Sequence, residues 1–183
     1  MRRGGGLSCA RRPSSRLPRE LRGERGASLV LVVLFLPALL LVAGAVTDLG
    51  ILFVSKHLAY HAAELGALAG AQDVDLEALA QGRLQLAERR AMTAAGDYAR
   101  RNLTRSFPYL DLDRWAEVQV RVYNASAATP LRHRETGRVL VDPTVAVSIR
   151  LSVPLYFLRP LRPRADLHVR ADASVRTRHA ANP

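Results

Sequence analysis

Two histidines and a glutamate have a spacing that suits metal binding. His57 and His61 are four residues apart, and Glu64 follows within one helical turn, so one face of a helix would carry all three side chains. In the zinc-protease motif a glutamate directly follows the first histidine, but Leu58 holds that position here. We therefore predict no metal site, and we interpret the three residues as a helix face close to a membrane.

The other reactive side chains lack the partners that catalysis needs. Cys9 is the only cysteine and lies far along the chain from every histidine, and there is no G-x-S-x-G motif of the kind that positions a nucleophilic serine. Asp111 and Asp113 could act as paired carboxylates, but a solvated turn explains them more simply. These observations predict a protein without enzymatic activity and without a cofactor.

A second group of side chains could bind a partner instead of doing chemistry. Arg159, Arg162 and Arg164 are interleaved with prolines, which favours an extended loop. We call residues 158–164 the basic loop. Its arginines are candidate contacts for an anionic partner, such as lipid headgroups, a cell-wall polymer or an acidic protein, and the alternative is a solvated loop with no partner.

Positive charge is concentrated at the N-terminus. The chain has a net charge of +11, and residues 1–26 hold eight arginines against two glutamates. This glycine- and proline-containing tail is typical of disorder. Because it directly precedes an uncharged apolar stretch, we attribute its charge to a membrane rather than to nucleic acid, which we do not expect as a partner.

Residues 27–46 form that apolar stretch and are predicted to be a transmembrane helix. Twenty residues at 1.5 Å per residue span about 30 Å, the thickness of the hydrocarbon core of a bilayer. Pro37 lies in the middle, where a membrane helix tolerates it. The arginines before the stretch place the N-terminus in the cytoplasm and the remaining chain outside; the closest are Arg16, Arg19, Arg22 and Arg25.

A cleaved signal peptide is the alternative to a retained anchor. Ala43-Gly44-Ala45 fits the small-residue cleavage pattern, but the apolar run is longer than a usual signal peptide core. The arginine- and alanine-rich composition, with Lys56 as the only lysine, suggests a bacterial origin. We predict a single-pass protein of the bacterial cytoplasmic (inner) membrane, and cleavage after Ala45 stays open.

Residues 47–106 have a helical pattern. A juxtamembrane helix is predicted from Thr47 to about Gln72, and a second helix from Leu76 to Leu103. One face of the first helix carries only small side chains, which let another element approach closely; its residues are Ala62, Ala63, Gly66, Ala67 and Gly70. We call this set the small-residue face. It could pack within the chain or against another subunit, and the sequence leaves both open.

Residues 107–183 change to a two-residue periodicity. Alternating apolar and polar side chains predict strands at 118–122, 145–153 and 167–175, with a further extended stretch around Val139. Helices followed by strands favour an α+β fold in which an antiparallel sheet packs on the helices.

Residues 24–73 combine several short motifs in a fixed order. Gly26 precedes the proline-containing apolar span, Asp48-Leu49-Gly50 follows it, and an alanine-rich helix comes next. In this combination they resemble the N-terminal segment of the TadE/TadG-like proteins of Tad (Flp) pilus assembly. No acidic residue stands at the start of the span, where the related pseudopilins carry a glutamate. The resemblance therefore implies an uncleaved, anchored TadG-like protein, with Gly26, Asp48 and Gly50 as the family motif.

This resemblance implies a pilin-like domain with a non-enzymatic role in a Tad/Flp-type pilus assembly or a related secretion system. Its expected partners are the lipid bilayer and other pilus or secretion subunits. The alternative is a membrane-tethered module that binds a cell-wall or extracellular ligand through its sheet and the basic loop.

Overall fold

The computed structural model describes the backbone of residues 21–176 and the side chains of residues 28–176. The chain divides into two compact units, residues 1–43 and 44–183. Arg16, Arg19 and the predicted tail up to residue 20 lie outside the described residues.

The described part of the first unit is helical. Helix α1 comprises Leu21–Ala71 and includes Pro37. It begins earlier than predicted, because residues 21–26, including Arg22, Arg25 and Gly26, are already helical rather than part of the tail. Four of these six residues are leucine, arginine or glutamate, which are good helix formers, whereas Gly23 and Gly26 are not. The last proline before the stretch is Pro18.

One described helix is long and apolar enough to cross a membrane. It runs over Ser28–Ala71 and contains an 18-residue window with a mean hydropathy of 3.0. All side chains from Ser28 to Ala43 are exposed. A surface that is apolar on every side is typical of a helix surrounded by lipid.

The prediction of one continuous second helix from Leu76 to Leu103 is wrong, because the structure has two separate helices in this region. Helix α2 comprises Leu76–Ala80, and the side chain of Asp75 caps it by accepting hydrogen bonds from the N–H groups of Glu77 and Ala78. Gly82 then adopts a φ of +76°, which glycine tolerates better than other residues and which ends the helical path. Helix α3 starts only at Glu88 and comprises Glu88–Ser106.

The predicted α+β fold with an antiparallel sheet is confirmed. A short helix α4, Leu112–Trp115, leads into strand β1, Ala116–Tyr123. Strands β2 (Leu131–Arg132) and β3 (Val139–Leu140) form a small hairpin. Strands β4 (Thr144–Pro154) and β5 (Arg164–Ser174) complete a three-stranded sheet in the order β1-β4-β5.

The core of the second unit lies between α1, α3 and one face of this sheet. Its helical part is built almost entirely of alanine, whereas the sheet supplies larger branched residues, which fit a pleated surface. The buried members include Ala59, Ala62, Ala63 and Ala67 of α1, Ala91, Ala95 and Ala99 of α3, and Val145, Val147, Ile149 and Leu151 of β4.

Two glycines allow α1 and α3 to approach closely. A Cβ atom built on Gly66 would lie 2.8 Å from the carbonyl oxygen of Ala95, and one on Gly70 would lie 2.7 Å from that of Ala91. Since higher numbers on α1 face lower numbers on α3, the two helices run antiparallel. Larger residues at these positions would push the backbones apart.

This packing predicts opposite effects of the same substitution at different glycines. Gly66→Ala and Gly70→Ala should each lower the stability of the full-length protein by about 1–3 kcal/mol, because the added methyl group meets backbone atoms. Gly50→Ala is the matched control, since nothing lies within 4 Å of its Cβ position. Gly50→Ala should raise the stability by up to about 1 kcal/mol, because alanine has a higher helix propensity than glycine.

Thermal unfolding in detergent, followed by circular dichroism, measures the difference. If Gly66→Ala and Gly70→Ala unfold at the same temperature as Gly50→Ala, the close approach of α1 and α3 is not what these glycines provide.

Candidate functional site

Asp48 is a fully buried acidic residue in α1. Its carboxylate accepts hydrogen bonds from three consecutive backbone N–H groups. The donors are Tyr156 at 3.0 Å, Phe157 at 3.0 Å and Leu158 at 2.7 Å. These donors are more than a hundred residues away in the sequence, so the motif aspartate joins the start of the second unit to the loop between β4 and β5.

Three donors account for the burial of this charge. A carboxylate removed from water is very unfavourable unless hydrogen bonds replace its hydration. Consecutive N–H groups that point to one side form a concave site for an anion, and hydrogen bonds to an ionised group are stronger than neutral ones. Together they favour the charged carboxylate over the protonated acid.

The β4–β5 loop has its own internal hydrogen bonds. The N–H of Leu155 donates to the carbonyl of Pro163 at 3.1 Å and closes the loop at its base. The N–H groups of Leu161 and Arg162 both donate to the carbonyl of Leu158 at 2.9 Å. The prediction of an extended basic loop is therefore wrong, because these bonds fold its first residues into a turn.

Gly44 lies one helical turn before Asp48 and contacts the same loop. Its Cβ position would be 2.7 Å from side-chain atoms of Phe157. Any larger residue at this position would displace the Phe157 ring. Both residues therefore help the β4–β5 loop to pack on α1: Gly44 leaves space for the Phe157 ring, and Asp48 accepts hydrogen bonds from the loop.

The small-residue face lies against elements of the same chain. Ala62, Ala63, Gly66, Ala67 and Gly70 are all buried. Their neighbours include the alanine stripe of α3 and, at Gly70, the side chain of Val145 at 3.2 Å from the Cβ position. Of the two interpretations that the sequence left open, the structure shows contact within the chain at this face.

The structure separates the three arginines of the basic loop. Arg159 and Arg162 are exposed, and Arg162 lies 3.9 Å from a carboxylate oxygen of Asp166. The guanidinium of Arg164 instead stacks on Trp115, 3.3 Å from the ring centroid, in a cation–π contact. It also donates to the carbonyl of Ser152 at 3.4 Å, so Arg164 is a structural residue of β5.

The histidines on α1 contact each other. The Nε2 atoms of His57 and His61 are 3.0 Å apart, and Nδ1 of His61 lies 3.4 Å from Glu64. Within the part of the chain that the structure describes, no group of three histidine, cysteine, aspartate or glutamate side chains is arranged to hold a metal ion.

The sequence of α1 and the position of Asp48 can be compared with known families. Residues 26–73 match the Tad family model, TadE/G-like proteins of Flp pilus assembly. The resemblance seen in the sequence is confirmed over this segment. No curated protein and no solved structure matches the chain.

The TadE/G-like segment, residues 26–73, contains the acceptor but not the donors of the Asp48 site. Asp48, Gly66 and Gly70 lie inside it, whereas the N–H groups of 156–158 and the alanine stripe of α3 lie outside it. Gly50, the other motif glycine after the span, has nothing within 4 Å of its Cβ position. The three N–H donors of the motif aspartate thus come from the part of the chain that the family model does not cover.

Sequence reasoning identified Asp48 as a motif residue but missed its role. The available signal was a lone acid two positions after a twenty-residue apolar stretch, a position at which a carboxylate needs nearby hydrogen-bond donors. Sequence reasoning also missed His133, which is buried. Its Nε2 atom lies 3.4 Å from Oδ1 of Asp172, and its Nδ1 atom accepts hydrogen bonds from two backbone N–H groups. Its place in a loop gave no pattern to detect.

This geometry predicts that Asp48→Asn weakens the attachment of the β4–β5 loop. One carboxylate oxygen becomes an NH₂ group that faces a backbone donor, so at least one hydrogen bond is replaced by a repulsive contact. Asp97→Asn is the control, because it removes the same charge from an exposed position of α3.

Amide hydrogen exchange of the full-length protein in detergent tests this effect. The amides of 156–158 should exchange faster in Asp48→Asn than in the original protein, and at an unchanged rate in Asp97→Asn. Equal protection in both variants would show that Asp48 does not hold the loop.

Proposed function

We propose that this protein is a non-enzymatic, membrane-anchored component of a Tad/Flp-type pilus assembly system or of a related secretion system. The observation that carries the proposal is the match of residues 26–73 to the TadE/G-like family. The match coincides with the described helix that is apolar and long enough to cross a membrane. It also contains the aspartate that binds the β4–β5 loop.

The proposed location is the bacterial cytoplasmic membrane, with a single span and the second unit outside the cytoplasm. Support for this orientation comes from the arginines before the span, because positive charge is retained on the cytoplasmic side. The four closest are Arg16, Arg19, Arg22 and Arg25.

The chemistry of the Asp48 site favours a structural role. Its carboxylate is buried and bound by three N–H groups, so its acceptor capacity serves the fold and not a substrate. An acid–base catalyst must reach the proton that it transfers. We therefore propose that the second unit acts by presenting surfaces to other subunits of the assembly system.

Co-purification tests the proposed function. The full-length protein, tagged after Pro183 and solubilised in mild detergent from its native cells, should bring down other subunits of a pilus or secretion system, identified by mass spectrometry. An unrelated single-span protein of similar abundance, tagged in the same way, controls for carry-over of membrane proteins. Recovery of the same proteins with both baits would contradict the proposal.

One observation favours the alternative function, a tethered binding module. An open groove of about 750 Å³ lies at the end of the sheet where β1 begins, and its lining includes Trp115, Glu117, Arg150 and His168. Small-ligand sites are concave and combine apolar and aromatic surface with a few polar groups, and this groove has Trp115, Ala116, Leu151 and Leu167 beside its polar and charged groups. Co-purification of cell-wall material without pilus subunits would favour this second function.

Membrane anchoring gives a separate prediction. The mature protein should retain residues 27–46 and stay in the membrane pellet after carbonate extraction, because burial of twenty apolar residues makes release very unfavourable. Intact-mass measurement distinguishes the two possible processing states. A mature protein that begins at Val46 would show that the apolar segment is a cleaved signal peptide.

A further inference from the structure

The β4–β5 loop carries an unusual group of exposed apolar side chains. Tyr156 is 61% exposed, Phe157 60% and Leu161 81%. Two exposed arginines, Arg159 and Arg162, lie between and beside them. Aromatic residues combined with arginines are typical of the interface between lipid and water, where rings lie at the headgroup level and arginines reach phosphates.

Contacts within the second unit show which residues of α1 the β4–β5 loop packs against. Phe157 packs at Gly44, and the three N–H groups of 156–158 bind Asp48. Gly44 belongs to the predicted span, and Asp48 follows its last residue by two positions. The loop is thus attached to α1 where the predicted hydrocarbon core ends.

The exposed surface of α1 stays apolar well beyond the loop. Val46, Leu49, Phe53 and Val54 are all exposed, Phe53 by 75%. Asp48, the only charged residue between Ser28 and Val54, is buried, so Lys56 is the first exposed charge. Since Lys56 is eight residues after Asp48, it lies about 12 Å further along the helix.

A headgroup layer is only roughly 5–8 Å thick on each side of the hydrocarbon core. Because Asp48 lies two residues after the last residue of the predicted span, about 3 Å along the helix, its level falls within this headgroup layer. We infer that the β4–β5 loop lies in the outer headgroup layer of the bilayer, with Tyr156, Phe157 and Leu161 at the acyl-chain boundary. Arg159 and Arg162 bind the headgroups of anionic phospholipids.

This inference rests on the proposed membrane anchor and adds a second membrane contact to it. It also gives the Asp48 site a physical purpose. A charged aspartate at the edge of the hydrocarbon would be unfavourable if exposed to lipid, and the loop both satisfies the carboxylate and covers it. The side chains that remain exposed on the loop are those that suit the lipid interface.

Fluorescence quenching in lipid nanodiscs tests the loop position. In the full-length protein with Cys9→Ser, one environment-sensitive fluorophore is attached in turn at Leu161→Cys, Leu40→Cys and Ala128→Cys. Leu40 lies in the predicted span, and Ala128 is an exposed residue of a loop between β1 and β2. Phospholipids brominated at known depths serve as quenchers in the bilayer, and iodide serves as the quencher in water.

The expected result is strong lipid quenching at Leu40 by deep bromines, lipid quenching at Leu161 by shallow bromines, and iodide quenching alone at Ala128. If Leu161 behaves like Ala128 while Leu40 is quenched by lipid, the inference is wrong and the anchor stands. A probe at Leu161 shielded from both lipid and iodide would indicate a protein partner on the loop and would also overturn the inference. If Leu40 is not quenched by lipid, the proposed anchor itself fails.

Headgroup recognition is tested with the same Leu161 probe. Brominated phosphatidylglycerol should quench it more strongly than brominated phosphatidylcholine at equal mole fraction, because arginines near an anionic surface attract its lipids. The double variant Arg159→Gln, Arg162→Gln should lose this preference. Arg101→Gln with Arg105→Gln is the matched control, since both arginines are exposed on α3. Equal quenching by the two lipids in the original protein would overturn the assignment of anionic headgroups.

Discussion

The need to neutralise one buried carboxylate constrains much of the second unit. Asp48 follows a long apolar segment and lies inside a helix, where the backbone N–H groups are already used by the helix itself. Donors must therefore come from a non-helical segment, and the β4–β5 loop provides three of them in succession. Because β4 and β5 continue directly from this loop, the position of the sheet along α1 follows from the same interaction.

Close packing of small residues is the second constraint, and it acts near the C-terminal end of α1. Gly66 and Gly70 let the backbone of α3 approach closely. The facing side of α3 also carries small side chains, those of Ala91, Ala95 and Ala99. The branched side chains of β4 then fill the space beneath the helix pair. With the Asp48 site near the start of this part of α1 and the glycines near its end, the helix contacts the rest of the unit along its length.

These two constraints relate the TadE/G-like segment to the part of the chain that the family model does not cover. The segment supplies the carboxylate of Asp48 and the small-residue face of α1. Residues after 73 supply the N–H donors for that carboxylate and helix α3, which packs against that face. In this chain the segment therefore depends on α3 and on the β4–β5 loop, whereas the face of the sheet that points away from the helices does not take part in these contacts.

The sequence by itself determined the elements whose signals are local. An uncharged, almost entirely apolar stretch of twenty residues identified the candidate span, strict alternation identified β1, β4 and β5, and the motif around Asp48 indicated the similarity of residues 26–73 to the TadE/G-like family. Each of these signals depends only on neighbours in the chain. Only the tertiary structure decided what Asp48 binds, that Arg164 stacks on Trp115 while Arg159 and Arg162 stay exposed, and that α2 and α3 are separate helices. Those outcomes depend on atoms that are distant in sequence or on a single glycine conformation, as at Gly82. Residue spacing holds no information about backbone N–H groups a hundred positions away, so the donors of Asp48 could be identified only in the folded structure.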